Sequence, residues 1–415
     1  MTLNEFFISP LFDHVLLTKG LALFTIFLLL IRFLPDFARN LTLLLVCLVL
    51  IEIATSPFYT FLFVAFAGGL YFLLFWMQWN PHKRLLSIGL SLLVVLFYFL
   101  LLDLPAFRTP WTGQMVHKFG VAYSLFRFLS VTLDVGAGKT LPEDPMDFFV
   151  YAFFVPTFFQ GPLSRLEEFR ENLVHRLQLT WAETGSNLIR IGGALVKGWV
   201  VLKFFNLDWK TYFDFPQHSS YSFLLWGMYA RAISFYLFVS AANDLTIACS
   251  ALAGYQISEN FHYPYFQKNL AQFWRRWHMT LVRFLRDYIY IPLGGNRCHI
   301  LLNYLIVFMA IALWHVTSVA FVVWGLWHGL GMCFLKVWQN FWKRIESQKG
   351  PGPFWNLQVW GRSHPRFVQV VSTLFTFHYV ALGWLPFWGG HPQGLSMILR
   401  LISGNHWKLF VWMRS

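Results

Sequence analysis

His278, His315 and His328 stand in stretches made otherwise of Trp, Phe, Leu and Val. A histidine in an apolar run costs free energy unless it finds a partner. Each is therefore either a structural residue bonded to a backbone carbonyl or a functional one. No carboxylate or cysteine joins the three at ligand spacing, so a metal site is not indicated. The four cysteines (Cys47, Cys249, Cys298, Cys333) are scattered without a CxxC pair, which speaks against a disulfide framework and against zinc. The chemistry that suits imidazoles in a dry pocket is proton transfer.

Two elements must position these rings. Residues 268–297 read KNLAQFWRRWHMTLVRFLRDYIYIPLGGNR. On a helix, Phe273, Trp274, Trp277, Leu281, Phe284, Leu285 and Tyr288 form one broad apolar face. Arg275, Arg276, Arg283 and Asp287 fall largely elsewhere, and His278 lies beside the apolar face. The spacing predicts a basic, aromatic, interfacial or re-entrant helix, stopped by Pro292 and Gly294-Gly295. The next apolar run, 300–317, ends in Trp314-His315. The run after it carries Trp327-His328-Gly329.

The whole chain places these elements in a membrane. Of 415 residues, 57% are hydrophobic and only 12% charged, too few charges for a soluble surface of that size. Disorder is excluded by the same apolarity. Apolar runs near 15–34, 41–55, 57–77, 85–104, 147–161, 185–205, 221–239, 240–254, 300–317, 318–338 and 367–388 predict membrane helices, with 41–55 and 147–161 short for a span and open to a re-entrant or tilted reading, and 394–413 ambiguous. The first run lacks a small-residue cleavage site and reads as a membrane helix. Segment 118–135 is apolar but holds Arg127 and Asp134. The expected fold is all-α and polytopic, with about 10–12 membrane helices. The net charge of +13 lies between apolar runs. It fits positive loops facing anionic lipid better than nucleic-acid binding. Polar zones fall at 162–184, 262–299 and 341–366. The last holds Lys343, Arg344, Lys349, Arg362 and Arg366 against one acid, Glu346, and is the best candidate for the cytoplasmic side.

The strings ENFHYPYF (259–266), FWRRWHMTLVRFLRDYIYIPLGGNR (273–297) and ALWHVTSVAFVVWGLWHG (312–329) resemble the membrane-bound O-acyltransferase family. FFVPTFFQGPLSRLEEF (153–169) is similar to its upstream element, and SAANDLTIACSALAGY (240–255) to its polar helix, with Asp244 at the polar position. YIYIPLGGNR looks closest to polysaccharide acetyltransferases of the alginate type. PTFFQGPLSR (156–165) sits close to D-alanyl transferases of teichoic acid. The resemblance implies one membrane-embedded domain over 1–415. Within it, 1–117 would be N-terminal helices, 118–330 a catalytic core and 331–415 C-terminal helices with a cytoplasmic loop. Re-entrant helices would surround a central tunnel.

The implied reaction moves an acyl group from a thioester to a hydroxyl. The implied catalytic pair is His315 as general base and His278 as the second polar residue, with His328 packing or hydrogen-bonding. Trp274, Arg275, Arg276, Trp277, Arg286, Asp287, Asn296 and Trp314 would bind substrate or carrier, although lipid anchoring accounts equally well for each arginine. No bound cofactor is expected. The co-substrate would be acyl-CoA or an acyl-phosphopantetheine carrier protein on the cytoplasmic side. An extracytoplasmic acyltransferase or polymer would be the partner, and the location a bacterial cytoplasmic membrane. One departure stands out: Val316 follows His315 where the family has glycine, which bears on acyl-chain size. A transporter would also place histidines in membrane helices but would more often show inverted repeats. A non-catalytic scaffold of an envelope complex is the other alternative.

Overall fold

The computed structural model describes residues 26–27, 30–31, 33–54, 56–103, 113–158, 161–174, 179–204, 221–315, 319–347 and 361–388. The expected run 394–413, most of 15–34, and Val316 lie outside the described residues. Among the described residues the chain is helical, without strands, and carries one isolated antiparallel bridge, Phe261 to Trp277. Among the described residues three helices are long and apolar enough to cross a membrane: Pro57–Met77, Tyr221–Leu252 and Val319–Ile345; the apolar helix Ile300–His315 is shorter. The described residues do not reach the expected 10–12 spans. The expected spans 221–239 and 240–254 are one helix, because no Gly or Pro separates them.

The chain divides into two compact units, Met1–Leu202 with Phe238–Glu259, and Lys203–Leu237 with Asn260–Ser415. The first unit holds α1 (Asp36–Ala54), α2 (Pro57–Met77), α3 (Lys83–Asp103), α4 (Gly113–Gly136), α5 (Pro145–Phe153), α6 (Val155–Phe158), α7 (Leu166–Val174), nearly all of α8 (Trp181–Phe204) and the second half of α9 (Tyr221–Leu252). Helix α2 starts where Ser56 caps the Tyr59 amide and Pro57 needs no amide partner. It buries Tyr59, Phe63 and Leu74 while Phe61 and Phe72 stay exposed. A helix apolar all round is what a lipid-facing helix requires.

The expected run 147–161 is split, and the backbone accounts for the split. Pro156 has no amide hydrogen to donate to the Ala152 carbonyl. The Val155 amide donates instead to Cys47 Sγ (3.5 Å). Two carbonyls at the end of α5 are thereby released, and Arg127 takes both: Nη1 donates to Tyr151 O (2.8 Å) and Ala152 O (3.1 Å). The other guanidinium nitrogen bonds Thr157 Oγ1. A buried arginine in an apolar segment is here a clamp on a broken helix.

Asp244 likewise turns out to be a tether. Arg190 Nε on α8 donates to Asp244 Oδ1 (2.8 Å), and the rest of its fork grips Glu259 (2.6 and 2.7 Å). Lys197, one turn pair further along α8, bonds Asp244 and Ser240 of α9. In the polar loop, Lys139 Nζ pairs with Glu167 (2.7 Å) and Asp134 (3.3 Å). Its hydrogen bond holds the Glu167 carboxyl below its ordinary value. That stabilisation is present at neutral pH and lost as pH falls through the lowered value. Because the Glu167 side chain is 65% exposed, screening limits it to a few tenths of a kcal/mol, so Glu167→Gln should leave the unfolding midpoint at pH 7 nearly unchanged.

The second unit holds the first half of α9, a 3-10 turn Pro264–Phe266, α10 (Leu270–Trp274), α11 (Met279–Leu285), a π turn Arg286–Tyr290, α12 (Ile300–His315), α13 (Val319–Ser347), α14 (Pro365–Gly383) and α15 (Leu385–Trp388). Helices α12 and α13 pack closely because α13 presents Gly325 and Gly329 to the pair. A Cβ on Gly325 would lie 2.9 Å from Ala312 Cβ and 3.0 Å from Phe308 O. Small residues four apart permit such backbone approach in membrane helices.

Candidate active site

The expected continuous helix over 268–297 is corrected by the structure. The helix breaks after Trp274, and His278 takes a left-handed backbone (φ 50, ψ 51) before α11 begins. The cause is pairing with residues 260–262. The His262 amide donates to Arg276 O (3.0 Å), and the Met279 amide donates to Asn260 O (2.9 Å). Asn260 Oδ1 accepts from the Thr280 amide (3.1 Å) and from Thr280 Oγ1 (2.9 Å), and so supplies the cap α11 needs. Asn260 is fully buried. A non-glycine residue in the left-handed region costs about 1 kcal/mol or more and persists only where its surroundings fix it. The end of the segment follows expectation, with Gly294 (φ 97) and Gly295 (φ 55) supplying the turn after Pro292.

His278 therefore stands at a break between α10 and α11, and His315 at the end of α12. Both rings are half-buried. The His278 ring packs against Phe261 (6.1 Å between centroids). His315 closes α12 against Trp314 (4.4 Å), Phe321 (5.5 Å) and the edge of Trp324 (6.2 Å). These ring contacts are aromatic on both imidazoles. An imidazole in such surroundings can exchange a proton with a bound hydroxyl.

The other candidates separate into two groups. Trp274, Trp277 and Trp314 are buried in the aromatic cluster around the histidines. Trp277 stacks on Phe273 (5.5 Å) and lies against Trp384 (5.0 Å). Arg275 is exposed and Arg276 half-exposed. Arg286 pairs with its neighbour Asp287 (2.7 Å), and Asn296 accepts from the Tyr290 hydroxyl (2.9 Å). Arg286 and Asp287 thus pair with each other, and Asn296 with the turn.

His328 is sealed. It has no exposed surface, and Trp274, Trp324 and Trp384 surround it at 5.0, 5.0 and 5.9 Å. Neither ring nitrogen has a hydrogen-bond partner among the described residues. A Cβ on Gly383 would meet its Nε2 at 2.5 Å and Trp327 Cδ1 at 2.9 Å. Gly383→Ala is therefore expected to destabilise the protein by about 1–3 kcal/mol through overpacking. His328→Ala in the same chain should recover part of that loss, as a lowered and then partly restored thermal midpoint.

Sequence reasoning missed Asn260, Trp324 and Trp384. The string ENFHYPYF drew attention to the neighbourhood of Asn260 without revealing that its side chain caps a helix twenty residues later.

Comparison with known proteins adds an independent finding. The model of the family described as MBOAT, membrane-bound O-acyltransferase family, matches residues 75–352, more than half of the chain. A probable alginate O-acetylase AlgI of Pseudomonas fluorescens is 27% identical over 296 residues, 70% of this chain and 55% of the relative. A peptidoglycan O-acetyltransferase of Helicobacter pylori is 27% identical over 268 residues, 62% of this chain and 46% of the relative. A teichoic acid D-alanyltransferase of Bacillus subtilis is 25% identical over 294 residues, 66% of this chain and 70% of the relative. The chain spans about half the length of the alginate-type relatives it matches.

Proposed function

The chain belongs to the membrane-bound O-acyltransferase family, and from that premise we propose that it transfers an acyl group, acetyl or D-alanyl, from a thioester to a hydroxyl of a cell-envelope polymer or of a partner that modifies one. The observation that supports this reading is that two histidines of the family-matched segment, His278 at the left-handed break and His315 at the end of α12, both pack against aromatic rings. Relatives named for acetylation of alginate and peptidoglycan and for D-alanylation of teichoic acid support the acceptor class.

In this reading His315 removes the proton from the acceptor hydroxyl as its oxygen attacks the thioester carbonyl carbon. The tetrahedral oxyanion collapses, the carbon–sulfur bond breaks, and the leaving thiolate takes the proton back from the imidazolium. An ester and a free thiol result, and the base returns to its starting form. His278, fixed by the Asn260 cap that follows it, orients the acceptor or donates to the oxyanion. The donor is acyl-CoA or an acylated carrier protein meeting the protein on the cytoplasmic face of a bacterial membrane. Arg275 and Arg276 stand on the accessible side of the segment to receive it.

Purified protein in lipid nanodiscs, given isotope-labelled acetyl or D-alanyl thioesters together with envelope polymer, tests the proposal. Mass spectrometry of the polymer and of any co-purifying partner should find the label in ester linkage. Thioester consumed only by water, with no labelled ester on either, would sink it.

A further inference from the structure

A cavity of about 830 Å³ lies in the second unit between α14, the first half of α9 and the turn Pro264–Phe266. Its size is that of a small-molecule site. Along α14 it is lined in order by Arg366, Gln369, Thr373 and Phe377, with Tyr236 and Tyr265 opposite. These α14 positions recur at three and four residues and so share one helix face. Polarity falls along that face from a guanidinium, through an amide and a hydroxyl, to a phenyl ring. Tyr265 contributes no free polar hydrogen, because its hydroxyl donates to Ala232 O (2.9 Å) while accepting from Trp384 Nε1 (3.2 Å).

The dimensions fit one leaflet of a bilayer. Residues 366 to 377 rise about 1.5 Å each, a wall of roughly 16 Å. Half of a hydrocarbon core about 30 Å thick is about 15 Å. The charge fits an anion. No Asp or Glu occurs in the sequence from Ser347 to Ser415, a stretch that includes Arg362 and Arg366. No carboxylate pairs with Arg366 among the described residues.

We propose that this groove binds one acyl chain of an anionic phospholipid, with its phosphate on Arg366 and its ester carbonyls at the level of Gln369. An anionic leaflet adds about 1 kcal/mol of attraction per cation near its surface. The site is separate from the histidine pair and does not depend on acyl transfer.

Native mass spectrometry of the full chain, released from detergent in equal amounts of chain-matched phosphatidylglycerol and phosphatidylcholine, tests this. The wild type should retain phosphatidylglycerol in preference, by about fivefold. Arg366→Lys should keep that preference, and Arg366→Gln should bring the ratio close to one. Arg366 is exposed on the first turn of α14, so neither change disturbs packing. Thr373→Trp, which fills the groove, should remove the retained lipid of both kinds. An unchanged preference in Arg366→Gln would overturn the proposal, as would undiminished lipid retention in a folded Thr373→Trp.

Discussion

Replacing His315 by alanine is expected to lower acyl transfer by about 10²–10⁴-fold, the contribution of a positioned general base. His315 ends α12, so the substitution removes no residue from a helix interior. The aromatic wall of Trp314 and Trp324 stays in place. The thermal midpoint should therefore move by no more than a few degrees, and the thioester donor should still bind. His315→Gln makes the sharper variant. It keeps polarity and near-equal volume but cannot take up a proton, so it should be as inactive as alanine. His278 separates differently. His278→Asn retains a side chain that tolerates the left-handed backbone and can still donate a hydrogen bond. It should keep the fold and more activity than His278→Ala. Transfer rates and thermal midpoints of these four variants decide the matter. His315→Ala within tenfold of the wild type would remove the general-base role.

Why the ring at 315 was legible in the sequence and the geometry at 278 was not has a physical reason. His315 follows an unbroken apolar run, and its position at the end of a helix is a local property of Ile300–His315. His278 is recognisable by type, but its backbone is set by residues 260–262. Pairing across that distance leaves no periodic trace, so the apolar face from Phe273 to Tyr288 reads as one helix. The 3.6-residue period is real on each side of the break, in α10 and α11, and fails only where Asn260 intervenes. The membrane character was legible because it depends on composition alone. The division of 147–161 was legible in part: Pro156 is visible, whereas the arginine that stabilises the break is nearly thirty residues away. Asp244 stands out only through the family resemblance and Arg190 not at all, because their pairing depends on which faces of α8 and α9 meet.

Arg127→Leu is expected to destabilise the protein by roughly 3 kcal/mol or more. The guanidinium is 1% exposed, and its hydrogen bonds go to Tyr151 O, Ala152 O, Phe154 O (3.4 Å) and Thr157 Oγ1. Leucine fills much of the volume but donates nothing. Two carbonyls of α5 would then be buried without a donor, at about 1–3 kcal/mol each. The ring faces of Tyr151 and Phe158 would also lose a cation 5.7 and 6.0 Å away. Arg127→Lys should fall between, because an ammonium is a point donor and lacks the planar fork that spans acceptors on both sides of the break. If Pro156 is the reason the carbonyls need Arg127, the two residues must be coupled. Pro156→Ala restores an amide hydrogen that can donate to Ala152 O, and should recover part of the loss in the Arg127→Leu background. In the wild-type background the same change has little to offer, since that carbonyl is already satisfied. A double-mutant cycle on thermal midpoints in detergent measures the coupling directly. Additive effects of the two substitutions would mean that Arg127 stabilises the packing of α4 for some reason other than the broken end of α5.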